Sequence, residues 1–151
     1  METTNKKPTP KPAYTDGSLA TACVRGRHAV VSHFTNFLAE IKMSEQQWRS
    51  IRTINDFEPI RLSVLCQRTC IHKVSMTRIV RALIQRGLVL SQPDLSDRRA
   101  QIITVTQEGK EFIRTVSPQA DQITGAVVKK FGRANAKRLL DLLDQLSRIE
   151  Q

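Results

Sequence analysis

No run of about 18 or more apolar residues occurs in this sequence, so it offers no membrane-spanning helix. The opening Met1-Glu2-Thr3-Thr4-Asn5-Lys6-Lys7-Pro8 has no apolar stretch behind it and does not read as a signal peptide. Cysteine is scarce. Three residues, an odd number without a CxxC pair, give no disulfide framework and fit a reducing, cytoplasmic setting. GxxxxGK[ST], HExxH, GxSxG and GxGxxG are all missing. No paired carboxylates or nucleophile–base pair support catalysis, so an enzyme is not expected. Cys66 and Cys70 straddle a helix break, and His28, His33 and His72 complete no tetrahedral set by spacing. Neither a zinc site nor a cofactor is expected.

What is present is one ordinary core and an uneven charge. The 151 residues are 40% hydrophobic, enough for one compact domain, and carry a formal +10 from 24 Lys+Arg against 14 Asp+Glu. Residues 61–99 hold eight Lys/Arg against only Asp94 and Asp97, a net +6. Residues 1–17 and 18–60 carry +1 each, 100–109 carry −1 and 110–151 carry +3. A basic excess confined to one stretch points to a polyanion partner, most often nucleic acid.

Residues 1–17, rich in Lys, Pro and Thr, read as a disordered tail. From Ser18 the spacing of Leu19, Cys23, Val30, Phe34, Phe37 and Ile41 predicts one long helix to about Lys42. Ser44-Glu45-Gln46-Gln47 fits a capping box, opening a helix that turns Trp48, Ile51 and Ile54 inward and stops before Glu58-Pro59. Arg61–Arg68 predicts a short helix with Leu62, Leu65 and Cys66 on one face. After a break near Thr69-Cys70-Ile71, a second helix runs from about His72 to Arg86. Its core stripe is Met76, Ile79, Val80, Leu83 and Ile84, and Gly87 stands at the C-cap. Leu88–Ser91 and Gln101–Thr106 read as a β-hairpin around a charged tip, Pro93 to Arg99. Thr106 caps a helix to about Val128, with Phe112, Val116, Ile123 and Val127 inward and Pro118 set to kink or divide it. A last helix, about Arg133–Ile149, carries Leu139, Leu142, Leu143, Leu146 and Ile149 along one side.

Helix, turn, helix and hairpin make a mainly α fold with a small β-hairpin, a winged helix-turn-helix. In such a motif one helix fits the major groove while its neighbour sets the insertion angle. The outward face of the second helix carries Lys73, Ser75, Thr77, Arg78 and Arg81, compact hydroxyls and cations suited to base edges and phosphates. Arg98 and Arg99 at the hairpin tip suit the narrow minor groove, with Asp97 placed to hold the Arg99 guanidinium. A plain solvated face is the alternative, but it predicts mixed signs rather than a net +6. Groove reading favours double-stranded B-DNA over A-form RNA.

Leu62-Ser63-Val64-Leu65, Ser75-Met76-Thr77-Arg78-Ile79-Val80, Leu83, Arg86-Gly87-Leu88-Val89, Asp97-x-Arg99-Ala100 and Val105-Thr106-x-x-Gly109 together resemble the MarR family of winged-helix regulators. The resemblance runs from about residue 19 to 149. Arg27 to Arg52, above all Ser44-Glu45-Gln46-Gln47-Trp48-Arg49-x-Ile51-Arg52, is similar to the HpaR-like regulators of homoprotocatechuate and aromatic-acid breakdown. The resemblance implies a dimeric repressor whose DNA affinity falls when a small aromatic acid binds. It places the wing arginine on Arg99, with Asp97 orienting it. His72-Lys73 departs from the subgroup's usual start to this helix, and the tail is longer than most.

The division expected is a tail at 1–17, dimerisation helices at 18–43 and 110–151, and a DNA-binding domain at 44–109. The first and last helices carry apolar stripes that the winged-helix core does not use, so a homodimer on an inverted-repeat operator is expected, its recognition helices ~34 Å apart. In the family the effector pocket lies between the dimer helices and the winged-helix unit, where this chain has Arg27, His28, Ser32, His33, Trp48, Arg49 and Arg52. Arg52 or Arg49 would meet a carboxylate, Ser32 or a histidine a phenol, and Trp48 with Ile51 the ring. Arg52 stands foremost, one turn beyond Trp48 on its face. Trp48 as simple core and Arg49 as a surface group are the plainer readings. A repressor released by cysteine oxidation is the alternative, although Cys23 falls on an apolar stripe and so is expected in the core.

Overall fold

In the computed structural model, the structure describes residues 17–149; the predicted 1–17 tail lies outside them except for Gly17. The chain divides into two units, residues 1–32 and 33–151. The first contributes one helix, α1 (Leu19–Ser32), whose Thr21 N–H bonds to the Ser18 hydroxyl. None of its residues is buried. Cys23, expected in the core, is exposed.

The predicted single helix to Lys42 is two. A turn at His33-Phe34 separates α1 from α2 (Thr35–Glu40), which belongs to the second unit and buries Phe37 and Leu38. The Ser32 hydroxyl bonds back to the Ala29 carbonyl, one way such residues compete with a helical ladder at its end. Further along, α3 (Glu45–Phe57) starts on the predicted capping box: Ser44 Oγ accepts from the Gln47 N–H at 3.1 Å, and Gln47 Oε1 accepts from the Ser44 N–H at 2.9 Å. It packs on α4 (Leu62–Thr69), α5 (Lys73–Gln85) and the sheet.

Between α4 and α5 the chain turns through Cys70, left-handed at φ 52°. The Cys70 and Ile71 N–H groups return to Gln67 and Cys66 carbonyls, and Ile71 is buried as the anchor of the turn. Helix α5 buries Met76, Ile79, Val80 and Leu83; Ile84 lies at the margin of the stripe and is exposed rather than core. It ends in a Schellman closure, with Gly87 at φ 71° donating to the Ile84 carbonyl and Leu88 to the Leu83 carbonyl.

The predicted hairpin is part of a three-stranded antiparallel sheet. β2 (Val89–Pro93) and β3 (Gln101–Val105) pair with Val89 opposite Val105 and Pro93 opposite Gln101. β1 (Ile60–Arg61) adds to the other edge of β3, two residues too short to leave a periodicity in the sequence. Finally, α6 (Gln107–Phe131) begins at the Thr106 cap and runs unbroken through Pro118, so the expected division does not occur. Pro118 is exposed, and Ala120 beyond it is packed into the core. Phe112, Val116, Ile123 and Val127 are half-buried, as their spacing predicts. Helix α7 (Arg133–Ser147) buries nothing, and its Leu139, Leu142, Leu143 and Leu146 remain exposed.

Candidate nucleic-acid interface

Packing of the Met76–Leu83 stripe fixes which side of α5 faces outward. Lys73, Ser75, Thr77, Arg78 and Arg81 are all exposed there, as predicted. The Thr77 hydroxyl donates to the Lys73 carbonyl at 2.9 Å, so its proton is held by its own helix while its oxygen can still accept. No side chain caps the helix start at His72.

The wing is built by two aspartates. Asp94, 6% exposed, accepts from the Ser96 N–H and the Ser96 hydroxyl, both at 2.8 Å, and from Arg61 Nη2 at 2.5 Å. Arg61 also donates to Ser96 Oγ at 3.1 Å. The Ser96 N–H, then its hydroxyl, then the Arg61 guanidinium hold the Asp94 carboxyl below its usual range, against the effect of burial. Asp97 works differently from its expected role. Its Oδ1 accepts the backbone N–H of Arg99 at 3.0 Å, while its carbonyl accepts from Ala100. It orders the loop that carries Arg99 rather than gripping the guanidinium, because an aspartate two residues ahead reaches the backbone N–H first in an Asx turn.

This geometry sorts the eight cations of residues 61–99. Arg61 is tied to Asp94. Arg68 lies 3.6 Å from the centre of the Phe57 ring. Arg86 donates to the Lys42 and Ile41 carbonyls at 3.0 and 3.2 Å and covers Phe112. The other five, Lys73, Arg78, Arg81, Arg98 and Arg99, are exposed and have no carboxylate partner among the described residues. A cleft of about 450 Å³, lined in part by Ser63, Lys73, Arg99 and Gln101, joins the start of α5 to the wing. Sequence reasoning missed Arg61, Asp94 and Ser96, which shape the wing without offering themselves to a ligand. The spacing Asp94-x-Ser96, an Asx-turn signature, was the available signal. Glu58 was missed too. It accepts the Val105 N–H at 2.7 Å and pairs with Lys110 at 2.9 Å, fastening the end of β3 to the loop after α3.

The expected effector residues fall in two groups. His28 and Ser32 lie on α1 in the first unit. In the second, His33 is exposed in the turn before α2, and Trp48, Arg49 and Arg52 lie on α3. Trp48 is a core residue, 6% exposed, meeting Phe37 edge-on at 5.3 Å between ring centres. Arg52 lies over the Trp48 ring at 5.6 Å, the pairing expected from their one-turn spacing. Arg49 pairs with Glu45 at 3.6 Å, and its buried Nε has no hydrogen bond among the described residues. Cys66 is half-buried, and burial pushes its thiol up against the pull of the Lys73 ammonium; Cys70 is exposed. Among the described residues no helix is long and apolar enough to cross a membrane, and no three metal-ligating side chains cluster.

A helix-turn-helix followed by a β-wing, all on one core, defines a winged helix-turn-helix fold. The MarR family model matches residues 43–100, the segment holding α3 to the wing. The HTH-type transcriptional regulator FarR of Neisseria gonorrhoeae is 28% identical over 133 residues, 88% of this chain and 91% of FarR. The homoprotocatechuate degradative operon repressor of Escherichia coli is 27% identical, with 85% of this chain and 86% of the repressor covered. The crystal structure of NadR in complex with 4-hydroxyphenylacetate superposes with a TM-score of 0.80 at 27% identity, covering 95% of this chain and 100% of that one. Over residues 43–100 the chain resembles the MarR family, and the relatives named here are transcriptional regulators.

Proposed function

We propose that this protein is a dimeric repressor that binds an inverted-repeat DNA operator and releases it when a small aromatic acid binds. The observation that carries the DNA reading is the sorting of cations. Three of the eight in residues 61–99 are engaged within the protein, and the five left without carboxylates among the described residues line the outward face of α5 and the wing. Lys73, Arg78 and Arg81, with Ser75 and Thr77, read the major groove and its phosphates; Arg98 and Arg99 enter the minor groove, with Asp97 holding their loop. The exposed leucine side of α7 supplies the dimer surface, so that residues 110–151 join copies while 44–109 bind DNA.

The aromatic-acid reading draws on two relatives. One is named for homoprotocatechuate degradation and another is crystallised with 4-hydroxyphenylacetate. Within the second unit Arg52 carries it, a cation held over Trp48 where an anionic ring substituent can meet it. Duplex from beside the protein's own gene, titrated by fluorescence anisotropy with hydroxybenzoates and hydroxyphenylacetates and separately with peroxide, tests both parts. Release by an aromatic acid, lost in Arg52→Ala with duplex binding retained, is the expected result. Release by peroxide alone would replace the ligand reading with oxidation of an exposed thiol, Cys23 or Cys70.

A further inference from the structure

Val74 stands in the first turn of α5 and is 69% exposed. At about 100° per residue it lies about 170° from the centre of the Met76–Ile79–Val80–Leu83 stripe, in line with Arg78, Arg81 and Gln85. A single exposed apolar residue is ordinary on a protein surface. Its place here, on the most outward line of the recognition helix and at the end that approaches the bases, is not. A β-branched side chain gains nothing there from helix propensity. Lys73, Arg78 and Arg81 surround it without carboxylate partners among the described residues, so one apolar contact sits inside a cationic frame.

We propose that Val74 reads the 5-methyl group of a thymine in the major groove of each operator half-site. The inference rests on the operator-binding reading above and names what that face recognises. Helices of this class set their N-terminal residues against base edges. The thymine methyl is the apolar feature that distinguishes one base in that groove, and small apolar side chains meet it by direct contact. The cations around Val74 fix the depth and register through phosphates, which carry no base identity themselves. Ser75 and Thr77 lie on the flanks of the same turn, and the Thr77 proton is already given to Lys73, so the most outward contact at this turn is the valine.

Deoxyuridine in place of each operator thymine in turn removes one methyl and nothing else. By fluorescence anisotropy, wild-type protein should lose about fourfold in affinity at one thymine per half-site and little elsewhere. Val74→Ala, which loses the contact in both half-sites, should lose about sixteenfold on the unmodified duplex and nothing more on the deoxyuridine duplex. Its melting temperature should match wild type, since the side chain is exposed. Wild-type protein indifferent to every deoxyuridine overturns the assignment. So does a Val74→Ala protein that keeps the full fourfold penalty at the same thymine. Wild-type protein that binds no duplex at all overturns the operator reading, and this one with it, before any methyl is removed.

Discussion

Alanine at Gly109 and alanine at Gly125 are the same substitution in the same helix, and they should move stability in opposite directions. Gly109 is the third residue of α6, where the helix leaves the sheet. Its N–H bonds to Thr106 Oγ1 at 2.9 Å, and that hydroxyl donates to the Gly87 carbonyl at 2.6 Å. A Cβ on Gly109 would lie 2.1 Å from the Leu88 carbonyl oxygen and 2.6 Å from Val105 Cγ1. The Leu88 oxygen cannot retreat freely, because it accepts the Thr106 N–H at 3.1 Å beside the Schellman turn. Around Gly125 a new Cβ would meet nothing within 4 Å among the described residues. Helix propensity alone predicts a gain of up to ~1 kcal/mol at either site. At Gly109 the backbone clash outweighs it, since overpacking typically costs ~1–3 kcal/mol and more where backbone must move. A net loss of ~2 kcal/mol corresponds to a melting temperature lower by ~4–8 °C, and the gain at Gly125 to a rise of up to ~4 °C. Thermal unfolding by circular dichroism at one fixed protein concentration reads both, which holds any dimerisation term constant. A Gly109→Ala protein melting at or above wild type would refute the close-approach argument.

Arg99→Ala should weaken duplex binding and lower the slope of log affinity against log salt by about one phosphate's worth, whereas Arg86→Ala should chiefly lower melting temperature through its lost bonds to Ile41 and Lys42; undiminished affinity in Arg99→Ala rejects the wing assignment. Acid should cost stability through Asp94 and Glu58. Burial works to raise the Glu58 carboxyl, but the Lys110 ammonium and the Val105 N–H bring it below its ordinary 4.5, and Asp94 is held below 3.8. Depressed folded values mean a contribution present above the unfolded values and lost as pH falls through the lower folded ones. Melting temperature should therefore drop below about pH 4, and less steeply in Asp94→Asn; an unchanged acid limb in that variant would remove Asp94 from the account. Leu143→Lys should yield a monomer by light scattering at micromolar concentration and abolish operator binding, and a variant that stays dimeric would show that the α7 leucines are not the dimer surface.

The helices, their caps and the helix-turn-helix order were legible because the signals are local. Ser44 and Gln47 meet within one turn, as do Thr106 and Gly109, and the Met76–Leu83 stripe needs only the helical period. Errors arose where a local signal competed with packing. The apolar spacing from Leu19 to Ile41 continued through a break at His33-Phe34, and of the two outcomes expected at Pro118, a kink or a division, α6 does not make the division. β1 is a strand only because Ile103 and Ile102 lie beside it. Trp48 stood open between core and ligand slot, and its edge-on packing against Phe37 places it in the core, with Arg52 over its ring.

The net +6 of residues 61–99 belongs to the sequence alone, and so does its division between a helix face and a wing tip, since charge and periodicity are both written along the chain. Which of those cations are available to a polyanion was decided by tertiary structure. Arg61 meets Asp94, Arg68 meets Phe57 and Arg86 meets carbonyls 44 and 45 positions away only after folding. Such pairings depend on which surfaces the core brings together, and distance along the chain does not encode them. Lys73, Arg78, Arg81, Arg98 and Arg99 are what folding leaves without a carboxylate partner among the described residues, and they lie on α5 and the wing.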